Sequence, residues 1–174
     1  NILFFTNYGR VYRLKGYLIP EAGRTAKGMN IVNLLQIDGD EKVTAMIPIR
    51  EFEEGKYVFF ATKMGTVKRM TLESLKTVRK AGIRALSVND GDELIGVRLT
   101  DGAARLIMAT REGRALRFDE NEVRPMGRDA AGVRGMALGA GDYIVGAGIA
   151  EPGKELLTVT QNGYGKRTAL EEYL

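Results

Sequence analysis

The chain has 174 residues, 44% hydrophobic and 28% charged, with a net charge of +4 at neutral pH. It contains no cysteine and no histidine, which excludes disulfides, thiolate or imidazole catalysis and Cys/His zinc sites, and accords with a cytoplasmic chain. No apolar run approaches the ~20 residues that span a bilayer, so no membrane partner is expected, and Asn1 to Thr6 lack the basic-then-apolar order of a signal peptide.

In chain order, the first element is an apolar run, Leu3 to Thr6, a polar tip before Gly9, and a second run ending in Arg13. The same pattern returns at Phe59–Arg69, Ile107–Arg117 and Leu157–Arg167. The tip glycines Gly9, Gly65, Gly113 and Gly163 lie 56, 48 and 50 residues apart, a propeller-type period. Each copy is a hairpin signature, with Gly (and Asn7 and Asn162) available for the positive φ of a tight turn.

After each of the first three hairpins a glycine, Gly28, Gly82 or Gly132, opens a third apolar run: Ile31–Ile37, Ile83–Val88 and Val133–Leu138. An acidic turn around Asp38, Asp90 or Gly139 then leads into a fourth run, Val43–Ile47, Leu94–Leu99 or Tyr143–Ile149. Four short runs per repeat predict one four-stranded blade each. Thr71–Val78 and Asp119–Val123 are too short and polar for more than a helical turn. The expected fold is all-β, one partial propeller-like domain over 1–174, with repeats 1–54, 55–102, 103–152 and 153–174. The last is truncated, giving about three and a half blades, and the missing initiator Met suggests a fragment.

Among the cations, Arg13, Arg69, Arg117 and Arg167 each fall four residues after a tip glycine, so strand alternation predicts one common face. Lys68 and Lys166 precede two of them; Arg10 and Arg114 follow the tip glycines of the other two repeats. A second cluster precedes the linker glycine: Arg24 and Lys27, Arg79 and Lys80, and Arg128, with Arg134 just beyond. Blades side by side would align these into a curved cationic band suited to the phosphates of a bent duplex. Such contacts carry no base code, so binding would be salt-dependent and indifferent to sequence. The opposing reading pairs the recurrent arginines with recurrent acids such as Glu73, Asp119 and Glu171 on a solvated face.

Other candidates are weak. The Asp90-Gly91-Asp92-Glu93 type of turn lacks the further oxygen ligands of a calcium loop. Glu53-Glu54 and Glu171-Glu172 are sequence neighbours and point apart. Gly139–Gly141 lacks the ending of a phosphate loop, and no tyrosine has an activating base. No small-molecule substrate is indicated.

Several strings resemble the C-terminal domain of the DNA gyrase A protein family: Gly9-Arg10-Val11-Tyr12, Arg24-Thr25-Ala26-Lys27-Gly28, Asp90-Gly91-Asp92-Glu93-Leu94-Ile95-Gly96-Val97, Gly132-Val133-Arg134-Gly135 and Thr160-Gln161-Asn162-Gly163-Tyr164-Gly165-Lys166-Arg167-Thr168. The resemblance implies a β-pinwheel whose neighbouring blades exchange strands and whose basic perimeter wraps double-stranded DNA to support negative supercoiling. It implies a non-catalytic domain without cofactors of its own, ATP and magnesium serving other parts of the parent enzyme. The implied partners are the rest of the gyrase A protein and the gyrase B protein, in an A2B2 assembly at the cytoplasmic nucleoid. The family's basic heptapeptide is missing, and the chain is expected to start after it. The corresponding domain of topoisomerase IV and a protein-interaction propeller are the alternatives, the latter requiring an apolar face patch.

Overall fold

Every hairpin tip in the computed structural model, which describes residues 1–173, is closed by one threonine. The carbonyls of Thr6, Thr62, Thr110 and Thr160 accept the N–H of Gly9, Gly65, Gly113 and Gly163. Their hydroxyls accept the next N–H along, from Arg10, Thr66, Arg114 and Tyr164. The glycines take φ of +76°, +88°, +86° and +84°. Asn7 and Asn162 do not share that role, since only glycines have positive φ among the described residues. Instead, the Asn7 side chain accepts the N–H of Lys42 at 2.8 Å, fastening tip to acidic turn.

The first hairpin is β1 (Ile2–Thr6) and β2 (Arg10–Leu14), joined by β3 (Val43–Pro48). The second repeat supplies β4 (Tyr57–Thr62), β5 (Thr66–Thr71), the two-residue β6 (Ile83–Arg84) and β7 (Leu94–Thr100). The third supplies β8 (Arg105–Thr110), β9 (Ala115–Asp119), β10 (Val133–Arg134) and β11 (Ile144–Ile149), and the fourth a hairpin of β12 (Glu155–Val159) and β13 (Gly165–Ala169). The expected helical turns are 3-10 turns at Leu72–Leu75 and Glu120–Glu122.

Strand order shows the exchange. The sheets run β3-β1-β2-β6, β10-β5-β4-β7, β11-β8-β9 and β12-β13, antiparallel throughout. So β6 of the second repeat completes the first blade, and β10 of the third completes the second. The carbonyl of Gly9 anchors one exchanged segment by accepting from Ala85 and Leu86 at 2.9 and 3.0 Å; Gly65 does the same for Gly135 and Met136 at 2.9 and 3.3 Å.

The third run of the first repeat departs from expectation. Ile31–Asn33 is a 3-10 turn, and Leu34, Leu35 and Ile37 pack on Phe4, Tyr12 and Leu14. Among the described residues this run joins no sheet. Its apolar residues cover the face of the first blade that no other blade covers.

Strand alternation divides the core. Val58, Phe60 and Met70 face the first blade, meeting Leu3, Phe5 and Val11, with Phe5 and Phe60 edge to face at 5.6 Å. Their neighbours Phe59, Ala61 and Val67 face the third blade and meet Leu106 and Met108. A period of two thus fills two separate inter-blade cores from one sheet.

Gly132 isolates the cost of strand exchange. At φ +89° a Cβ there would sit 2.6 Å from the Val67 carbonyl oxygen, whereas Gly91, at φ +79°, has open space. Chemical denaturation should show Gly91→Ala costing about 1–2 kcal/mol from backbone strain alone. Gly132→Ala should cost clearly more, about 3 kcal/mol or above, because backbone atoms must also move.

Candidate nucleic-acid interface

The inner strand β7 packs against β3 on one side and β11 on the other, and Thr44 Oγ1 donates across blades to the Leu94 carbonyl at 3.2 Å. The exchanged strands lie at the opposite sheet edge, so they form the outer rim. Arg79, Lys80 and Arg84 are exposed along the segment reaching the first blade's rim; Arg124, Arg128 and Arg134 are exposed along the equivalent segment on the second. Arg84 and Arg134 share one register position, following Ile83, paired with Val11, and Val133, paired with Val67. Arg24 and Lys27 are exposed on an irregular stretch of the first repeat.

The hairpin cations are more engaged. Arg10 lies opposite Arg84, 3.6 Å from Asp38, and donates to the Ala81 carbonyl at 3.4 Å. Exposed Arg114 donates to the Ala137 carbonyl at 3.3 Å. Lys166 is exposed on the last hairpin.

The four recurrent arginines do occupy one register: they pair with Leu3, Phe59, Ile107 and Leu157. They do not make the expected band. Arg13 Nη1 donates to the Lys76 carbonyl at 3.0 Å, Arg117 Nη2 to the Glu171 carbonyl at 3.5 Å, and Arg69 Nη1 to the carbonyls of Glu120 and Val123 at 3.1 and 3.3 Å. Each therefore reaches the turn after the hairpin of the next repeat. Among the described residues no such turn follows for Arg167; it is 72% exposed and pairs with Glu155 at 3.1 Å.

Arg69 and Lys68 are removed from the set of surface contacts. Arg69 is 3% exposed, lies over the Tyr57 ring at 3.9 Å and pairs with fully buried Glu120, Nε to Oε2 at 3.1 Å. Glu120 also accepts from Thr100 Oγ1 and the Ala104 N–H, at 2.6 and 2.8 Å. The pairing partner is Glu120 and not its neighbour Asp119, whose side chain caps the 3-10 turn by accepting the Asn121 N–H at 2.8 Å. Lys68 is 0% exposed, its ammonium enclosed by three carbonyls. Two adjacent residues can both be buried here because the strand is covered on both faces and at its edge.

Of the linker glycines, Gly28 is exposed with open space around it, but Gly82 and Gly132 are enclosed and do not bare their backbone to a ligand. A Cβ on Gly82 would meet the Tyr12 ring at 2.5 Å, and on Gly132 the Val67 carbonyl. The residues overlooked in the sequence are Arg84 and Arg124; Arg84 had a signal, standing two places after Gly82 as Arg134 does after Gly132.

The acidic turns fasten the hairpins. Glu41 accepts from Thr6 Oγ1, Tyr12 Oη and the Asp38 N–H at 2.5, 3.0 and 3.1 Å. Burial, aided by the Glu41 carboxylate, pushes the Tyr12 hydroxyl up to about 12. Asp92 and Asp142 instead accept the amides of Met64 and Glu93, and of Glu112 and Tyr143.

One apolar surface was not anticipated. A cleft of about 990 Å³ opens between β11 and the last hairpin, lined by Val145, Ile149, Leu157 and Val159. At the other two junctions an inner strand fills this space; among the described residues the fourth repeat contributes only its hairpin.

Four-stranded antiparallel blades that complete each other by exchange define a propeller-like β-pinwheel. The family model "DNA gyrase C-terminal domain, beta-propeller" matches residues 1–50, 56–101, 104–151 and 154–174. The gyrase A protein of Salmonella typhimurium is 51% identical over 172 residues, covering 99% of this chain and 20% of the relative. A solved C-terminal domain of DNA topoisomerase IV superposes with a TM-score of 0.91 at 36% identity, over 99% of this chain and 54% of that one. A solved DNA gyrase A C-terminal domain gives 0.80 at 25% identity, over 99% and 55%. The chain belongs to the DNA gyrase C-terminal domain family, and it spans about a fifth of the length of that curated relative.

The Arg69–Glu120 contact generates a stability prediction. Arg69→Met should cost about 3–5 kcal/mol in urea denaturation, because it leaves a buried carboxylate unpaired. Adding Glu120→Gln should recover part of that loss.

Proposed function

We propose that the outer rim binds double-stranded DNA without regard to sequence and bends it along successive blades. The observation that carries this reading is an exposed arginine at the same register on consecutive rim strands, Arg84 and Arg134, each within a basic exposed segment. An exposed guanidinium offers phosphate a two-point contact without surrendering a structural partner. Because neighbouring blades are rotated about a common axis, a duplex that follows consecutive rim segments has to curve. Arg24, Lys27, Arg79, Lys80, Arg114, Arg128 and Lys166 extend the track, and half-buried Arg10 supports it from the first hairpin.

In the whole protein this activity would serve negative supercoiling by a gyrase. The domain would hold a bent segment for the catalytic parts of the gyrase A protein and for the gyrase B protein, in an A2B2 assembly on the nucleoid, with ATP and magnesium used elsewhere. The corresponding domain of topoisomerase IV is the second reading, favoured by the superposition of 0.91. Against it stands 51% identity to a gyrase A protein over nearly the whole chain.

Fluorescence titrations across several salt concentrations test the proposal. With about six phosphates neutralised at ~0.9 each, log affinity should fall against log salt with a slope near −5, alike for unrelated duplexes. Arg84→Gln with Arg134→Gln should make the slope shallower by about 2 for every sequence while leaving the fold intact. A flat salt dependence, or an unchanged slope in the double variant, would move the function away from the rim.

A further inference from the structure

Lys68 is a buried cation that plays no part in the surface just described. Its Nζ donates to the carbonyls of Ala85, Arg128 and Ala130 at 2.8, 2.9 and 2.7 Å. An ammonium has three donors, and here three acceptors converge on it, a geometry that suits a tetrahedral nitrogen and not the planar fork of arginine. The acceptors come from two different rim segments. Ala85 belongs to the segment completing the first blade, where its N–H donates to Gly9. Arg128 and Ala130 belong to the segment completing the second. The equivalent residues of the first and third repeats, three places after their tip glycines, cannot do this: the Tyr12 hydroxyl donates to Glu41, and Leu116 has no polar side-chain atom.

We infer that Lys68 is a positioning residue of the rim, its ammonium stitching two consecutive rim segments together and so setting the spacing between the exposed arginines Arg84 and Arg128. Arg84 is the residue before Ala85, and Arg128 supplies one of the held carbonyls itself. The inference rests on the DNA-binding reading of the rim. Asp129 is the charged group that acts on the stitch, favouring the ammonium, while Arg84 and Arg128 adjoin the held carbonyls along the chain. Burial is the larger influence and lowers the Lys68 pKa to about 8. The unfolded chain, with an ordinary lysine at 10.5, then holds more protons between about pH 8 and 10.5, so this residue's contribution favours folding more as pH rises through that window. The stitch itself weakens over the same range, because a neutral amine has only two N–H groups for three carbonyls.

The test is a salt titration of duplex binding at pH 7 with four proteins: wild type, Lys68→Met, Arg84→Gln/Arg128→Gln, and all three changes together. Lys68→Met should lower the slope by about 1.8, two phosphates at ~0.9 each, as the double variant does. The triple variant should lose nothing further. A Lys68→Met slope equal to wild type, or an added loss in the triple variant, overturns the inference. If Lys68→Met does not fold, wild type alone decides: its slope should fall by the same amount from pH 7 to 9.5, with the double variant flat. An unchanged wild-type slope refutes the role. Independently of DNA, an ¹⁵N spectrum at low temperature should show one slowly exchanging lysine ammonium, and its absence refutes the three-carbonyl stitch. Should wild type fail to bind duplex at all, the rim reading falls, while the ammonium resonance still decides whether the stitch exists.

Discussion

A two-stranded hairpin leaves a row of unpaired backbone groups along its outer strand, and an exposed edge of that kind recruits another strand. In this protein β2 and β5 are closed from outside by two-residue strands of the following repeat. The consequences run through the whole chain. The connections after the second and third hairpins travel back across the junction to the preceding blade before β7 and β11 form. The passage is tight enough to require Gly82 against Tyr12 and Gly132 against Val67. It also carries the basic residues of the connection to the perimeter, where Arg79, Lys80 and Arg84, and then Arg124, Arg128 and Arg134, face solvent.

Burial sorts the charges into two kinds. Those enclosed between blades, Lys68 and the Arg69–Glu120 pair, are held by backbone carbonyls, an amide and a threonine hydroxyl, with Arg69 Nε meeting Glu120 as an ion pair. Desolvating such groups is costly, and removing one partner leaves the other exposed to the full penalty. They hold one blade against the next. The charges on the rim are solvated, and that is what makes them available to a polyanion: a cation already committed to a buried carboxylate has no further affinity to offer a phosphate.

The same register position illustrates both. Arg13, Arg69, Arg117 and Arg167 are equivalent in strand pairing, yet they range from nearly buried to 72% exposed at the last. What differs is the neighbour. The first three meet the turn of a following repeat; among the described residues the fourth pairs with Glu155 of its own hairpin.

The repeat, the hairpins and the all-β architecture were legible from the amino-acid order because their causes are local. Threonine three places before glycine closes a tip whatever surrounds it, strict alternation writes a strand, and the short polar stretches after the hairpins could form only a helical turn. Even Arg84 could have been found, from the spacing that Arg134 displays. Tertiary structure alone decided where the charges went. Lys68 is buried by carbonyls up to 62 residues away, and Arg69 by a carboxylate in the next blade. Ile31–Ile37 turns inward onto Phe4, Tyr12 and Leu14 instead of joining a sheet. Burial is the joint property of a residue and of whatever distant segment arrives to cover it, and that arrival is written in strand exchange, which a one-dimensional pattern of apolar and charged residues does not encode.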